Sequence, residues 1–175
     1  MKMEKLPYPS MAEMAEIVSI IDNAWPQGIS IEDLIEQFKK KQKSRENFIS
    51  FVIRNNGIII SHAGFFTRFI EISGKKEKVG CLAAVTTSPD FRNKGYGSKL
   101  VTTIFEGMHE YKIRMIFFQT TIPEFYVKFG AKEIHNQFVI SKQERKSPWW
   151  DDHAMVFPKS IDLMDYEINL CGAGY

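Results

Sequence analysis

The most constraining feature of the sequence is the stretch 79–108, where an apolar run meets a glycine-rich turn and then a helical pattern. The run 79–87 is apolar and rich in β-branched residues, which predicts a mostly buried strand. Ser-Pro-Asp at 88–90 should end that strand, because a residue before proline avoids the helical conformation. Apolar residues then recur at helical spacing, so a helix should begin within 95–98. The end of a strand therefore faces the N-terminus of a helix.

The turn between this strand and helix has the composition of an anion site. Gly95 and Gly97 let the backbone approach a ligand closely, while the first N–H groups of the following helix have no partner within it. The helix dipole and the charges of Arg92 and Lys94 favour a phosphate or pyrophosphate there. An ordinary strand, turn and helix without a ligand is the alternative that the spacing leaves open. The turn matches neither the P-loop pattern nor the three-glycine dinucleotide pattern.

Length and composition limit the classes of protein that remain. The 175 residues are 44% hydrophobic, which suits one buried core, so we expect a single domain over 1–175. The net charge of +2 is small and dispersed, and predicts neither a nucleic acid nor a membrane partner. The spacing of Cys81 and Cys171 suggests no metal site. With neither an export signal nor an apolar run of about 18 residues, we expect a cytoplasmic protein.

The rest of the chain gives recognisable patterns. Helical spacing predicts a helix over 11–24, with Ser10 and Glu13 forming a capping box at its start. A strand, helix and strand in succession predict a parallel crossover around the helix that follows the turn. The other predicted elements are a helix from 30 to about 43, strands at 48–54 and 58–72 joined by an Asn-Gly turn, a strand at 113–119, a short helix over 120–129 ending at Gly130, and strands at 132–140 and 154–157. Residues 159–175 give no clear pattern.

Two motifs resemble those of the GNAT superfamily of N-acetyltransferases. Arg92, Gly95 and Gly97 match its acetyl-CoA motif, Arg/Gln-x-x-Gly-x-Gly/Ala, which follows a strand and opens a helix. Residues 125–131 resemble its second motif, Phe-Tyr-x-Lys-x-Gly-Phe, with Ala131 in the place of the last Phe. The two motifs occur in the expected order. The resemblance covers about 48–140, and residues 141–175 form an extension to this core.

The resemblance implies a fold and a cofactor site. The implied fold is α/β (α+β), with a mixed, mainly antiparallel sheet that is flanked by about four helices and splayed at the acetyl-CoA site. The strand end pairs with the pantetheine of acetyl-CoA, and the backbone of the turn wraps its pyrophosphate. The implied cofactor-binding residues are Val85, Thr86, Thr87, Arg92, Asn93, Lys94, Gly95, Tyr96, Gly97 and Ser98.

The chemistry needs groups that handle protons. By resemblance, Tyr126 protonates the departing CoA thiolate, and backbone N–H groups at 85–87 stabilise the oxyanion. A tyrosine that only packs against the sheet is the alternative. The candidate bases for the attacking amine are His62 and Glu124, with a relay through water and a structural role for His62 as alternatives. Cys81, on an apolar strand, fits a small buried residue better than an acetyl-cysteine.

The implied function is acetyl-CoA-dependent N-acetylation of a primary amine by direct attack in a ternary complex. Trp149, Trp150, Asp151 and Asp152 favour a small cationic amine over a protein N-terminus or lysine as acceptor, through ring faces and carboxylates. An aromatic plug with solvated acids is the alternative reading of these four residues. A non-catalytic acyl-CoA sensor and an interaction module with the same fold are the competing functions. The superfamily often dimerises, so a homodimer is an open expectation.

Overall fold

The computed structural model describes residues 1–140 and 153–172. Within them the chain has a mixed α/β fold, with a mostly antiparallel open sheet flanked by helices. The fold class predicted from the sequence is thus confirmed. The elements are β1 (Lys2–Leu6), α1 (Met11–Ala24), α2 (Ile31–Ser44), β2 (Glu46–Asn55), β3 (Ile58–Ile72), β4 (Lys75–Thr87), α3 (Tyr96–Glu106), β5 (Ile116–Gln119), α4 (Pro123–Val127), β6 (Lys132–Ile134), β7 (Phe138–Val139), β8 (Ala154–Phe157) and β9 (Ile168–Asn169).

The backbone divides into two compact units. The first unit is Met1–Phe66 with Ala84–Ile104, and the second is Thr67–Ala83 with Phe105–Tyr175. The long strands β3 and β4 contribute residues to both units. A single domain over 1–175 therefore stays a prediction.

The helices of the first unit begin where the sequence predicts. At α1, the Ser10 hydroxyl accepts the Glu13 N–H at 3.3 Å, and the Glu13 carboxylate accepts the Ser10 N–H at 2.7 Å. This reciprocal pair is the predicted capping box, and it satisfies two amide donors at the helix end. At α2, the Ser30 hydroxyl accepts the Asp33 N–H at 3.1 Å.

The edge strand β1 is a feature of the first unit that the sequence patterns do not predict. It pairs antiparallel with β2, from Lys2 opposite Arg54 to Leu6 opposite Ser50. Arg54 fixes the pair, because its Nε donates to the Glu4 carboxylate at 3.0 Å. A five-residue polar strand has no strong local pattern and depends on its neighbour. Beyond β2, the Asn-Gly turn joins β2 to β3 as predicted, and two residues permit only an antiparallel pair.

The second unit contains the parallel pair that the crossover prediction requires. Gly80 and Cys81 of β4 lie opposite Ile116 and Phe117 of β5 in parallel register, which confirms that prediction. Strand β8 pairs antiparallel with both β5 and β6, and β9 pairs with β3 and β7. The aromatic core of this unit includes Phe105, whose ring stacks on Phe157 at 4.1 Å.

Three predictions for the second unit are wrong in their bounds. The strand expected at 113–119 begins at Ile116, and the helix expected over 120–129 is limited to Pro123–Val127. The strand expected at 132–140 is two strands, because β6 pairs with β8 whereas β7 pairs with β9. Between them, the Asn136 side-chain amide donates to the carbonyls of Met164 and Tyr166, each at 2.9 Å. The tail that gave no pattern supplies both of these carbonyls and β9.

Candidate functional site

The turn before α3 presents an exposed backbone of unusual conformation. After β4 ends at Thr87, one turn of 3₁₀ helix covers Pro89–Phe91, and residues 92–95 are exposed. Asn93 and Gly95 both have positive φ, at 59° and 80°. A Cβ built on Gly95 would meet nothing within 4 Å. The space beside the Gly95 backbone is therefore open to a ligand, as the sequence predicts for an anion site.

Backbone donors and two cations meet at this turn. The Lys99 N–H donates to the Gly95 carbonyl at 3.0 Å, which makes Gly95 the residue that precedes the first helical turn. The N–H groups of that turn have no partner within the helix, and they carry the positive end of its dipole. Arg92 Nε donates to the Thr87 carbonyl at 3.0 Å, and Lys94 Nζ to the Asp90 carbonyl at 3.1 Å. These bonds keep both cations at the turn, where an anion would bind.

The end of β4, which leads into this turn, is distorted and firmly tied to β3. Ala84 has a φ of 48°, a left-handed conformation that interrupts the regular strand. The Ser61 hydroxyl donates to the Thr86 carbonyl at 2.9 Å, and the Ser88 N–H donates to the Ile60 carbonyl at 2.8 Å. The pairing of β4 with β5 covers only Gly80 and Cys81 among the described residues. Residues 84–87 thus lie beyond that parallel pairing.

His62 holds this distorted strand end from the core. Its Nδ1 lies 3.0 Å from the Ala84 carbonyl, which can only accept, so Nδ1 carries the proton. Its Nε2 then accepts from the Ser50 hydroxyl at 3.1 Å. His62 is 1% exposed, and burial lowers its pKa to about 4. These contacts support the structural alternative for His62, and its role as a base stays a prediction.

Tyr126 lies in the second unit, on the short helix α4. Its ring packs against Phe118 at 4.6 Å and against Phe125 at 4.9 Å. The side chain is 6% exposed, and burial raises the pKa of its hydroxyl well above the usual value, an effect that a hydrogen bond from the Thr120 hydroxyl partly offsets. Tyr126 is therefore neutral and protonated over the whole physiological range. Its hydroxyl therefore carries a proton that it could donate, although burial makes the loss of that proton costly, and its catalytic role stays a prediction.

The remaining candidates have simpler surroundings. Glu124 is exposed on α4, and Cys81 is fully buried in β4. His109 and His135 are exposed. The tryptophans and aspartates at 149–152 lie outside the described residues. The described residues contain no cluster of three or more His, Cys, Asp or Glu side chains that could hold a metal ion. No helix in the described part of the chain is long and apolar enough to cross a membrane.

The sequence patterns did not point to Ala84, Thr120, Glu133 or His153 as site residues. Alanine rarely adopts a positive φ, so nothing in the apolar run marks Ala84 as the point of distortion. Thr120 could have been found from its position directly after a buried strand and six residues before Tyr126. Glu133 and His153 lie twenty residues apart and form a 2.8 Å pair. The pairing of β6 with β8 brings them together, and no local signal shows it.

A family model described as an acetyltransferase (GNAT) domain matches residues 8–134. The match covers more than half of the chain and includes the exposed turn, β4 and Tyr126. The chain therefore belongs to the GNAT acetyltransferase family, which confirms the resemblance identified from its two motifs. No curated protein matches the chain.

Solved structures share the fold at low identity. A GNAT family acetyltransferase from Brucella melitensis in complex with acetyl-CoA is 15% identical, with a TM-score of 0.63 over 96% of this chain and 95% of that one. A GNAT family N-acetyltransferase from Escherichia coli in complex with CoA is 12% identical, with a TM-score of 0.65 over 95% of this chain and 88% of that one. A probable N-acyltransferase from Enterococcus faecalis is 17% identical, with a TM-score of 0.64 over 75% of this chain. The chain covers 32% of the length of that protein.

Proposed function

We propose that the chain is an acetyl-CoA-dependent N-acetyltransferase, in which a primary amine attacks the thioester directly within a ternary complex. The observation that carries this proposal is the exposed turn at 92–95, which combines a left-handed Gly95, open space beside it and the N-terminus of α3. Membership of the GNAT family supports the same assignment. The two relatives that bind acetyl-CoA or CoA share the fold, and this likeness supports the choice of cosubstrate.

The first unit supplies the groups for holding acetyl-CoA. The N–H groups of Tyr96, Gly97 and Ser98 would donate hydrogen bonds to pyrophosphate oxygens. Arg92 and Lys94 would add positive charge. Asn93 and Gly95 shape the turn through their positive φ angles, so the backbone comes close to the anion. Val85, Thr86 and Thr87 offer a strand end to the pantetheine amides, and Ser61 and His62 hold that end in place.

The reaction requires a proton for the leaving group. When the amine forms the new C–N bond and the C–S bond breaks, the CoA thiolate benefits from a nearby donor, since a free thiol has a pKa of about 8.5. Tyr126 is protonated at neutral pH and so can supply this proton. Burial makes the resulting tyrosinate costly, and its proton must be replaced soon afterwards. Thr120, whose hydroxyl donates to Tyr126, is the neighbour through which the replacement can pass.

The acceptor class rests on the sequence, because residues 149–152 lie outside the described part of the chain. The adjacent tryptophans and aspartates there favour a small amine that carries a positive charge. A cationic amine must lose a proton before it attacks. A base is therefore needed in addition to Tyr126.

Release of free thiol tests the proposed function. The purified chain is mixed with acetyl-CoA and, in turn, with putrescine, spermidine, tyramine and glucosamine, and the acetylated product is identified by mass. We expect thiol release and a matching N-acetyl product with at least one of these amines. Tight binding of acetyl-CoA without release for any of them would favour a non-catalytic sensor. Failure to bind acetyl-CoA would contradict both functions.

A further inference from the structure

A row of polar side chains in the second unit leads away from Tyr126. Phe118 of β5 lies opposite Met155 of β8, and the antiparallel register continues to Thr120 and His153, where the Thr120 N–H donates to the His153 carbonyl at 3.0 Å. Because side chains alternate along a strand, Thr120 and His153 share the face of Phe118, which is the face that the Tyr126 ring covers. Side chains directly opposite each other have Cβ atoms about 5 Å apart.

Glu133 completes this row from the next strand. It lies opposite Met155, diagonal to His153 on the same face, and its carboxylate is 2.8 Å from His153 Nδ1. Lys132, opposite Val156, lies on the other face, and the exposed His135 follows the last paired residue of β6, Ile134. The His153 and Glu133 side chains are 40% and 31% exposed. Unlike the buried His62, the His153 side chain is therefore accessible to solvent.

The contact with Glu133 defines the chemistry of the His153 ring. A carboxylate that accepts from Nδ1 fixes the tautomer in which Nε2 carries the lone pair, and it stabilises the imidazolium that forms on protonation. This is the arrangement expected of a general base with an orienting carboxylate. His62 lacks it, because its Nδ1 donates to a backbone carbonyl and its Nε2 accepts from the Ser50 hydroxyl within the core.

We propose that His153 is the base that takes the proton of the acceptor amine, and that Glu133 is its positioning residue. This inference rests on the proposed function. As the amine forms the C–N bond, its N–H proton passes to His153 Nε2. The C–S bond breaks with its electron pair on sulfur, which takes the hydroxyl proton of Tyr126. The imidazolium proton then returns to the tyrosinate through the Thr120 hydroxyl, so that the amide and CoA thiol are the net products and both residues are restored.

Two nucleophiles separate a base from a structural residue. The first is whichever of the four tested amines gives the fastest release of thiol, here called the panel amine, and its amino group is protonated at neutral pH. The second is hydroxylamine, which is not protonated at that pH. For His153→Gln we expect kcat/KM with the panel amine to fall at least a hundredfold, with a loss of less than tenfold for hydroxylamine. The acidic limb of the pH profile with the panel amine should also become shallower, because one titrating group is gone. Glu133→Gln should give a smaller loss with the same preference for hydroxylamine.

Controls separate this proposal from the function on which it rests. His109→Gln, an exposed histidine elsewhere in the second unit, should leave both rates unchanged. The affinity of each variant for acetyl-CoA, measured by calorimetry, shows whether that variant is folded. The assignment of His153 would be overturned if His153→Gln bound acetyl-CoA but lost kcat/KM equally with both nucleophiles. It would also be overturned if the pH profile of that variant were unchanged. The proposed function would stand in either case. If the wild type releases no thiol with either nucleophile, the proposed function fails and this assignment fails with it.

Discussion

Replacing Tyr126 with phenylalanine is expected to lower kcat about a hundredfold while leaving the affinity for acetyl-CoA unchanged. The ring contacts with Phe118 and Phe125 survive in the variant, because only the hydroxyl is removed. The lost group is the proton donor for the thiolate, so the effect should fall on the chemical step. The rate of thiol release under saturating acetyl-CoA and amine measures kcat, and calorimetry measures the affinity.

Tyr166→Phe is the matched control for this variant, because Tyr166 is a partly exposed tyrosine of the same unit in the chain's tail. It should retain the wild-type rate. A Tyr126→Phe variant with unchanged kcat would show that another group or water protonates the sulfur. A loss of acetyl-CoA affinity as large as the loss of rate would instead assign the hydroxyl to binding.

Replacing His62 with glutamine is expected to change how stability depends on pH. The unfolded chain takes up a proton on this histidine near pH 6.5, whereas the folded chain does so only near 4, because the ring is buried and neutral. The wild type should therefore lose roughly 2 to 3 kcal/mol of unfolding free energy from this group alone as the pH falls through that window. Urea unfolding at neutral pH and near pH 4.5 measures the difference.

The His62→Gln variant lacks the titrating group, so its stability should fall less over the same window. Contributions from other groups cancel in the comparison of the two proteins. His109→Gln, which removes an exposed histidine, should follow the wild type. Parallel stability profiles for wild type and His62→Gln would contradict the buried, neutral state of His62. Such a result would also argue against the proposal that His62 holds the Ala84 carbonyl.

The parts of the fold that depend on neighbouring residues could be predicted from the sequence. The capping box at α1 needs only Ser10 and Glu13, and the turn before α3 needs only a short run of glycines and cations. The end of β4 and the start of α3 follow from Pro89 and from helical spacing in the same way. For this reason the sequence predicted the turn and the helix start of the first unit closely, and the binding of a cofactor there stays a prediction.

The features that the sequence missed depend on partners far along the chain. Strand β1 is stabilised by β2, about fifty residues away, and β9 by β3 and β7. The left-handed Ala84 is held by contacts from β3 that the apolar run does not reveal. Glu133 and His153 come together through strand pairing alone. Periodicity reports which face of an element is buried, but it does not report which element covers that face.

The most direct test of the central claim is calorimetric titration of acetyl-CoA into the wild type and two matched glycine variants. Gly95 and Gly57 both have positive φ, at 80° and 85°, and a Cβ on either meets nothing within 4 Å, so alanine strains the two turns alike. Gly95→Ala should weaken binding at least tenfold, about 1.4 kcal/mol, because the added methyl occupies the space of the anion, whereas Gly57→Ala should bind like the wild type. Equal affinity in all three proteins, or no binding by the wild type, would contradict an acetyl-CoA site at this turn.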